Sequence, residues 1–336
     1  MPVDRSAVFS RRALLGGTGT AAAALVAGCA GKSAAKSGSD SWSFTDDRKQ
    51  TIHTDGRPRH IVAYIGSAAV LVDYGLQNRI AGVFGPTKLG NGKPDVQAGD
   101  LDIDKVTIIG NTYGEFDLEK YAKLDPDLIV TNMYQGTALW FVPDDAKDKI
   151  LGQAPAIGFR AAHVSLPEPI RRYEALAKAL GADLESSRVR DAKARFRSAA
   201  SDLRAAARMH GRLRVLAASA SRDILYVSDP SVYADLSYFR SLGVDLVEPN
   251  KVQGGFFENL SWENADKYPA DVILLDNRTA ALQPKDLTDK PTWTRLPAVQ
   301  AGQVTPWLSE PRFSYAGAAP LIESLATALR KGRKVI

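Results

Sequence analysis

The sequence predicts an α/β protein of two Rossmann-like lobes with central parallel sheets, joined by one long backbone α-helix. The main observation is a duplicated segment in which a polar residue opens a short helix with a glutamate in its first turn, and a buried strand begins eight residues after that glutamate. One copy holds Glu119 and the strand from Asp127, and the other holds Glu263 and the strand from Asp271. Between them, residues 185–209 contain no glycine or proline, so a helix of about 37 Å is expected there.

A lobe in which strands alternate with helices is predicted for residues 57–165, a pattern typical of a parallel sheet covered by helices. Residues 166–210 are predicted as a helical linker that includes the long helix, and residues 211–336 as a C-terminal lobe that repeats the first plan. The predicted strands are 60–65, 79–84, 106–110, 127–131 and 156–159 in the first lobe, and 214–218, 224–227, 244–247, 271–275 and 302–307 in the second.

Composition and charge are those of an ordinary globular protein. The 336 residues carry a formal net charge of +5, which is too small, without an arginine-rich groove, to indicate nucleic-acid binding. No apolar run after residue 28 reaches the roughly 20 residues that a membrane-spanning helix needs. The single cysteine excludes disulfides within the chain, and the four scattered histidines argue against a site for a bare metal ion.

Residues 1–28 have the pattern of a bacterial export signal. Arg11 and Arg12 form a twin-arginine pair ahead of the apolar segment 14–27, and small residues precede Cys29, as in a lipoprotein cleavage box. We expect Cys29 to carry the lipid that holds the exported protein on the outer face of the cytoplasmic membrane. Residues 29–56 are predicted as this lipid-anchored cysteine and a flexible tether.

Motifs of catalysis are missing from the sequence. No G-x-S-x-G, Walker A or G-x-G-x-x-G pattern opens a helix. With one cysteine and four histidines, few nucleophilic triads can be assembled. We therefore expect a binding protein that is not an enzyme and has no cofactor of its own.

Several short motifs carry a resemblance to a known family. They are Ile61-Val62-Ala63, Gly66-Ser67, Leu118-Glu119-Lys120, Leu124-Asp125-Pro126-Asp127-Leu128-Ile129, Trp262-Glu263 and Ala270-Asp271-Val272-Ile273. Their order and duplication over residues 57–333 resemble the class III, helical-backbone substrate-binding proteins of ABC importers, which are receptors for iron-siderophores, haem and cobalamin. The resemblance implies a monomer that binds its ligand in a cleft between the lobes. It also implies that Glu119 and Glu263 dock onto a permease dimer driven by its ATPase.

In parallel α/β lobes a ligand meets the loops that follow the strands. Here those loops are rich in aromatic residues, which give wide contact to an organic shell, and in arginines, which donate to chelating oxygens. The candidate ligand-binding residues are Tyr64, Phe84, Tyr113, Tyr134, Trp140, Arg160, Arg222, Tyr226, Phe257, Arg278, Trp307, Arg312 and Tyr315, with Lys88, Phe256, Asn277 and Phe313 in the same loops.

A ferric siderophore suits this set best, because the iron arrives already chelated and the protein supplies only rings and hydrogen-bond donors. The modest positive charge favours a hydroxamate over a strongly anionic catecholate. Haem, with Tyr64, Tyr113 or Tyr134 as an axial ligand, and cobalamin are open alternatives. A ligand sensor that signals through a membrane partner is an alternative of another class.

Overall fold

The computed structural model describes residues 41–336, which form two α/β lobes and a helical connection. The predicted export signal, the lipidation site Cys29 and the first part of the tether lie outside the described residues. Within residues 41–336, every helix is too short or too polar to cross a membrane.

An antiparallel hairpin occupies the segment that was predicted as tether. Asp46, buried in its turn, accepts hydrogen bonds from the backbone amides of Arg48 (2.9 Å) and Gly158 (3.0 Å), and so fixes the hairpin to the N-terminal lobe. Trp42 donates from Nε1 to the carbonyl of Ala179 (2.9 Å). The prediction that the tether extends to residue 56 was therefore wrong for residues 42–54. The hairpin strands are β1 (Trp42–Thr45) and β2 (Thr51–Thr54).

The N-terminal lobe contains a five-stranded, fully parallel sheet in the order β5-β4-β3-β6-β7. All four residues of its central strand β3 are buried, as expected for a strand covered by helices on both faces. Every strand predicted for this lobe is present, with small shifts at its ends. The strands are β3 (Ile61–Tyr64), β4 (Ile80–Phe84), β5 (Thr107–Gly110), β6 (Leu128–Met133) and β7 (Ala156–Arg160).

The C-terminal lobe repeats this plan around β8, which pairs in parallel with β12 and through it with β13. Along its other edge β8 pairs with the short parallel strand β10 and then with the antiparallel β9, which also pairs with β11. β9 confirms the predicted inserted strand, whereas β11 was not predicted. The strands are β8 (Arg214–Ala220), β9 (Ile224–Ser228), β10 (Asp245–Leu246), β11 (Phe257–Ser261), β12 (Val272–Asp276) and β13 (Val304–Trp307).

Two helices, α4 and α5, connect the lobes, and α5 packs along the C-terminal helix α9. Val189, Phe196 and Leu203, spaced seven residues apart, are buried on one face of α5. Arg195 binds Glu323 of α9 through two hydrogen bonds of 2.7 Å. The 20 residues of α5 extend about 30 Å, because the helix is shorter than predicted at both ends. The helices are α1 (Ile65–Asp73), α2 (Leu118–Lys123), α3 (Lys147–Gln153), α4 (Pro167–Ala179), α5 (Ser187–Ala206), α6 (Ala234–Ser241), α7 (Pro291–Arg295), α8 (Pro297–Gln300) and α9 (Tyr315–Lys331).

One hydrophobic core runs through both lobes. It contains buried residues of the first sheet, of α4, α5 and α9, and of one face of the second sheet. The ring of Phe313, which follows β13, stacks on Tyr173 of α4 with centroids 6.4 Å apart. The backbone amide of His163, just after β7, donates to the carbonyl of Val232 in the C-terminal lobe (2.8 Å). The lobes are therefore joined by packing as well as by the linker.

The two duplicated segments hold equivalent places in the two sheets. Each precedes the strand beside the central strand, β6 in one lobe and β12 in the other. The aspartate before each strand anchors the start of its neighbour, since Asp127 accepts from the backbone amide of Arg59 (2.6 Å) and Asp271 from that of Arg214 (2.8 Å). In the first copy Asp117 caps α2 as predicted. The second copy is only a 3-10 turn without a side-chain cap, so the helix predicted there was wrong.

Candidate functional site

A cavity of about 310 Å³ lies between the lobes at the carboxyl ends of their parallel strands, where ligands of α/β proteins bind. The N-terminal lobe contributes the loop after β6, and the C-terminal lobe contributes the loops after β12 and β13 and the segments before α6 and β11. The lining residues are Tyr134, Gln135, Trp140, Tyr233, Gly254, Phe256, Phe257, Arg278, Ser309 and Glu310.

A larger groove of about 520 Å³ lies on the C-terminal lobe alone, beside α9 and the end of the chain. None of the described residues that line it is aromatic, and its polar groups include Gln303, Glu323 and Lys331. The inter-lobe cavity is the better candidate, because aromatic rings from both lobes converge there on a charged pair, Arg278 and Glu310. Across residues 41–336 no cluster of three or more histidine, cysteine, aspartate or glutamate residues is arranged to hold a metal ion.

Packed aromatic rings form the N-terminal wall of the cavity. The indole of Trp140 lies 5.0 Å from the ring of Tyr134 and 5.5 Å from that of Phe141, measured between centroids. Phe141 in turn contacts the rings of Tyr64 (5.3 Å) and Tyr113 (5.2 Å). The backbone of Phe141 has a φ of 62°, a left-handed conformation that a bulky residue rarely adopts. Because such strain clusters at binding sites, it supports a functional role for this wall.

Two polar groups on the lining are buried without a hydrogen-bond partner among the described residues. They are the hydroxyl of Tyr134 and Oγ of Ser309. Burial raises the pKa of Tyr134, so its phenol stays protonated and able to donate. Since buried polar atoms normally have partners, a bound ligand can supply the acceptors that these two groups lack.

Glu310, in the loop after β13, connects the two lobes across the cavity. Its Oε2 accepts hydrogen bonds from Trp140 Nε1 (3.1 Å), from Gln97 Nε2 (3.2 Å) and from the hydroxyl of Tyr64. Its Oε1 pairs with the guanidinium of Arg278. Burial, together with the charge of Glu310, raises the pKa of Tyr64 well above its usual value, so this hydroxyl remains a donor.

Arg278 is the one basic side chain among the described residues that line the cavity. Besides Glu310 it binds Asp276, whose Oδ2 lies 2.8 Å from Nη2 and 3.0 Å from Nε. Asp276 also accepts from the hydroxyl of Ser219 (2.6 Å). Burial lowers the pKa of Arg278, but the two carboxylates raise it by more, so the guanidinium stays charged. One positive and two negative side chains give this cluster a formal charge of −1.

The structure brings part of the predicted ligand-binding set to the cavity. Tyr64 reaches its edge through the hydrogen bond to Glu310. Tyr113, which is 73% exposed, lies at the outer side of the aromatic wall, and Tyr226 packs behind the lining with its ring 4.9 Å from that of Phe257. The predicted residues that line the cavity themselves are Tyr134, Trp140, Phe256, Phe257 and Arg278.

The other predicted residues lie away from the cavity. Phe84 and Trp307 are buried in the core. Arg312 forms an ion pair with Asp73 of α1 (3.0 Å) and so joins the lobes outside the cavity. Tyr315 begins α9 and packs on the linker helix α5. Exposed positions outside the lining are occupied by Lys88, Arg160 and Arg222.

Five lining residues were not predicted from the sequence: Gln135, Tyr233, Gly254, Ser309 and Glu310. Ser309 and Glu310 follow the last strand, so the rule that selected loops after strands covers them too. Tyr233 precedes α6, and it reaches the cavity because its backbone forms an isolated antiparallel bridge with Ala162 of the other lobe. Nothing in the local sequence signals that pairing.

The two glutamates of the duplicated segments lie on the surface, one on each lobe. The side chain of Glu119 is 80% exposed and pairs with Lys123, one turn later in α2 (2.6 Å). Glu263 is exposed in the 3-10 turn. Its pKa is lowered by hydrogen bonds from its own backbone amide and from Ser261, so it is charged at neutral pH. Both carboxylates are therefore accessible to a partner.

Two α/β lobes with a helical connection and an aromatic-lined cavity between them define a ligand-binding protein. The model of the periplasmic binding protein family matches residues 61–311, and the chain belongs to this family. A comparison with curated protein sequences gives no match.

Solved structures include a similar protein of known ligand class. The chain is 49% identical to DesE, a ferric-siderophore receptor protein from Streptomyces coelicolor, with a TM-score of 0.85 over 88% of this chain and 100% of DesE. The fold is also shared with the petrobactin-binding protein YclQ of Bacillus subtilis, at 19% identity and a TM-score of 0.65 over 87% of this chain and 99% of YclQ. The triscatecholate siderophore binding protein FeuA of Bacillus subtilis is 18% identical, with a TM-score of 0.61 over 85% of this chain and 97% of FeuA.

Proposed function

We propose that this protein captures a ferric siderophore of the hydroxamate type in the inter-lobe cavity and delivers it to an ABC importer. The observation that carries the proposal is the cavity itself, where rings from both lobes surround two hydroxyls, those of Tyr134 and Ser309, that have no hydrogen-bond partner within residues 41–336. Rings contact an organic shell, and the hydroxyls donate to the oxygens that chelate iron. The similarity to DesE, a ferric-siderophore receptor, supports the same ligand class.

The charge of the cavity supports the hydroxamate type. Its arginine, Arg278, is paired with Asp276 and Glu310, so no net positive charge is available to an anionic ligand. Three dianionic catecholates give their iron complex three negative charges, whereas three monoanionic hydroxamates give a neutral iron centre. Charge complementarity therefore favours the hydroxamate.

Tryptophan fluorescence of the lipid-free chain, from residue 30 onward, tests this function. Titration with ferrichrome is expected to give saturable quenching, whereas ferric enterobactin, haem and cobalamin are expected to bind more weakly. Trp140→Phe removes the tryptophan on the lining and is expected to weaken binding about tenfold or more. Trp293→Phe, in the second core of the C-terminal lobe, is the matched control and is expected to bind as the wild type does. Failure of every iron chelate to bind overturns the proposal.

Delivery to a permease is the second part of the proposal, and the exposed pair Glu119 and Glu263 supports it. Glu119→Ala/Glu263→Ala is expected to abolish uptake of the ⁵⁵Fe-loaded chelate while binding in solution is unchanged, because these residues lie outside the cavity. Glu168→Ala/Glu185→Ala removes two exposed linker charges as the control. Normal uptake by the first double variant contradicts the docking role.

Anchoring is the third part of the proposal. We infer an exported monomer held on the outer face of the cytoplasmic membrane by a lipid on Cys29, which the cleavage-box pattern supports. Cys29→Ser is expected to move the protein from the membrane fraction into the soluble extracytoplasmic fraction. Retention of the variant in the membrane contradicts the anchor.

A further inference from the structure

Glu310 places a carboxylate on the lining of the inter-lobe cavity. It lines the cavity, its side chain is 9% exposed, and it faces the cationic end of Arg278. The guanidinium is the natural binding partner for an anionic ligand in this cavity. With Glu310 in place, such a ligand meets a carboxylate beside the guanidinium.

Hydrogen bonds hold Glu310 in that position. Tyr64, Gln97 and Trp140, all from the N-terminal lobe, donate to its Oε2, while Oε1 pairs with Arg278. If an anionic ligand displaced the carboxylate, Tyr64 and Trp140 would lose this acceptor, at a free-energy penalty for each. The negative charge is therefore fixed at the guanidinium and is not free to swing into solvent.

Asp276 is the second carboxylate that pairs with Arg278. It accepts hydrogen bonds from Nε and Nη2 and is itself fully buried. This one carboxylate already balances the guanidinium, so the charge of Glu310 is in excess. Packing of Arg278 alone does not require a second carboxylate.

We propose that Glu310 determines specificity by excluding anionic ferric chelates from the cavity. The inference rests on the proposed siderophore function and names the residue that sets the charge preference of that site. In chemical terms, the wild-type cavity accepts neutral or cationic chelates, and it gains affinity for anionic chelates when the charge of Glu310 is removed.

The test compares the dissociation constants of ferrichrome, which is neutral, and ferric enterobactin, which is trianionic. In Glu310→Gln the ratio of the enterobactin constant to the ferrichrome constant is expected to fall by about tenfold or more, because one unit charge interacts with three. A merely structural role of Glu310 weakens both chelates equally and leaves the ratio unchanged, and that result overturns the proposal.

Two further variants identify the cause. Glu310→Asp keeps the charge, and its ratio is expected to stay within about threefold of the wild-type ratio. Arg278→Gln/Glu310→Gln restores the wild-type net charge of the cluster and is expected to lose the gain in enterobactin affinity. A gain that persists in the double variant contradicts the role of Arg278.

If the wild type binds neither chelate, the proposed siderophore function itself is wrong. If the wild type binds ferrichrome and Glu310→Gln leaves the ratio of the two dissociation constants unchanged, only the role of Glu310 is refuted.

Discussion

At the scale of single residues, Asp235 joins α6 to β13 in the core. Trp307 Nε1 donates to its Oδ2 at 2.6 Å, and its Oδ1 has no partner among the described residues. Burial raises the pKa of Asp235 to about 7, against the opposing hydrogen bond from Trp307. Because the folded-state pKa exceeds the unfolded one, the folded protein binds the proton more tightly, and this stabilisation is lost as the pH rises from about 4 to about 7.

Asp235→Asn is expected to remove this pH dependence. The free energy of unfolding of the wild type, measured relative to that of Asp235→Asn, falls between pH 4 and pH 7 by on the order of a few kcal/mol, and then levels off. Urea unfolding of both proteins across this range gives the difference directly. A difference that is flat with pH contradicts a proton held by Asp235.

Single residues also show how far the sequence determines the site. Tyr134, Trp140 and Arg278 follow buried strands, so the rule that ligands meet such loops selects them. The same rule placed Trp307 among the predicted ligand-binding residues, but its ring lies in the core, where Nε1 donates a hydrogen bond to Asp235. Which side of a loop faces the cavity depends on tertiary contacts that a local pattern does not contain.

At the scale of elements, the β1–β2 hairpin is held by a buried ion pair. Arg48 Nε lies 2.6 Å from Asp46 Oδ2, and both side chains are almost fully buried. Asp46→Ala leaves Arg48 Nε and the amide of Gly158 without their acceptor and is expected to lower the free energy of unfolding by about 3 kcal/mol. Asp55→Ala, at an exposed site just after the hairpin, is expected to change it by less than about 0.5 kcal/mol. Equal unfolding midpoints for the two variants in urea contradict the anchoring role.

Elements with a strong local pattern could be predicted, and those that depend on distant partners could not. The central parallel strands of both lobes are continuous apolar runs, so they can be recognised as buried strands from the sequence alone. The hairpin is mostly polar and short, and its stability comes from Gly158 and Ala179, more than a hundred residues away. The 3-10 turn at Trp262 has the same sequence signal as α2, but Ser261 forms no side-chain cap there.

At the scale of the whole molecule, the shared core limits how far the lobes can move. Buried residues of both lobes form one cluster, and the ion pair between Arg312 and Asp73 joins them again outside the cavity. We therefore expect the radius of gyration, measured by small-angle X-ray scattering, to change by less than about 1 Å when the chelate binds. A decrease of several ångströms would indicate a wide hinge closure and contradict the rigid connection.

The central claim is that the inter-lobe cavity binds a ferric hydroxamate, and a crystal structure with the gallium complex of a trihydroxamate tests it most directly. The chelate is expected between Trp140 and Phe257, with the hydroxyls of Tyr134 and Ser309 donating to its oxygens and Glu310 still paired with Arg278. A chelate bound instead in the groove beside α9, or a cavity without electron density for it at saturating concentration, would contradict the claim.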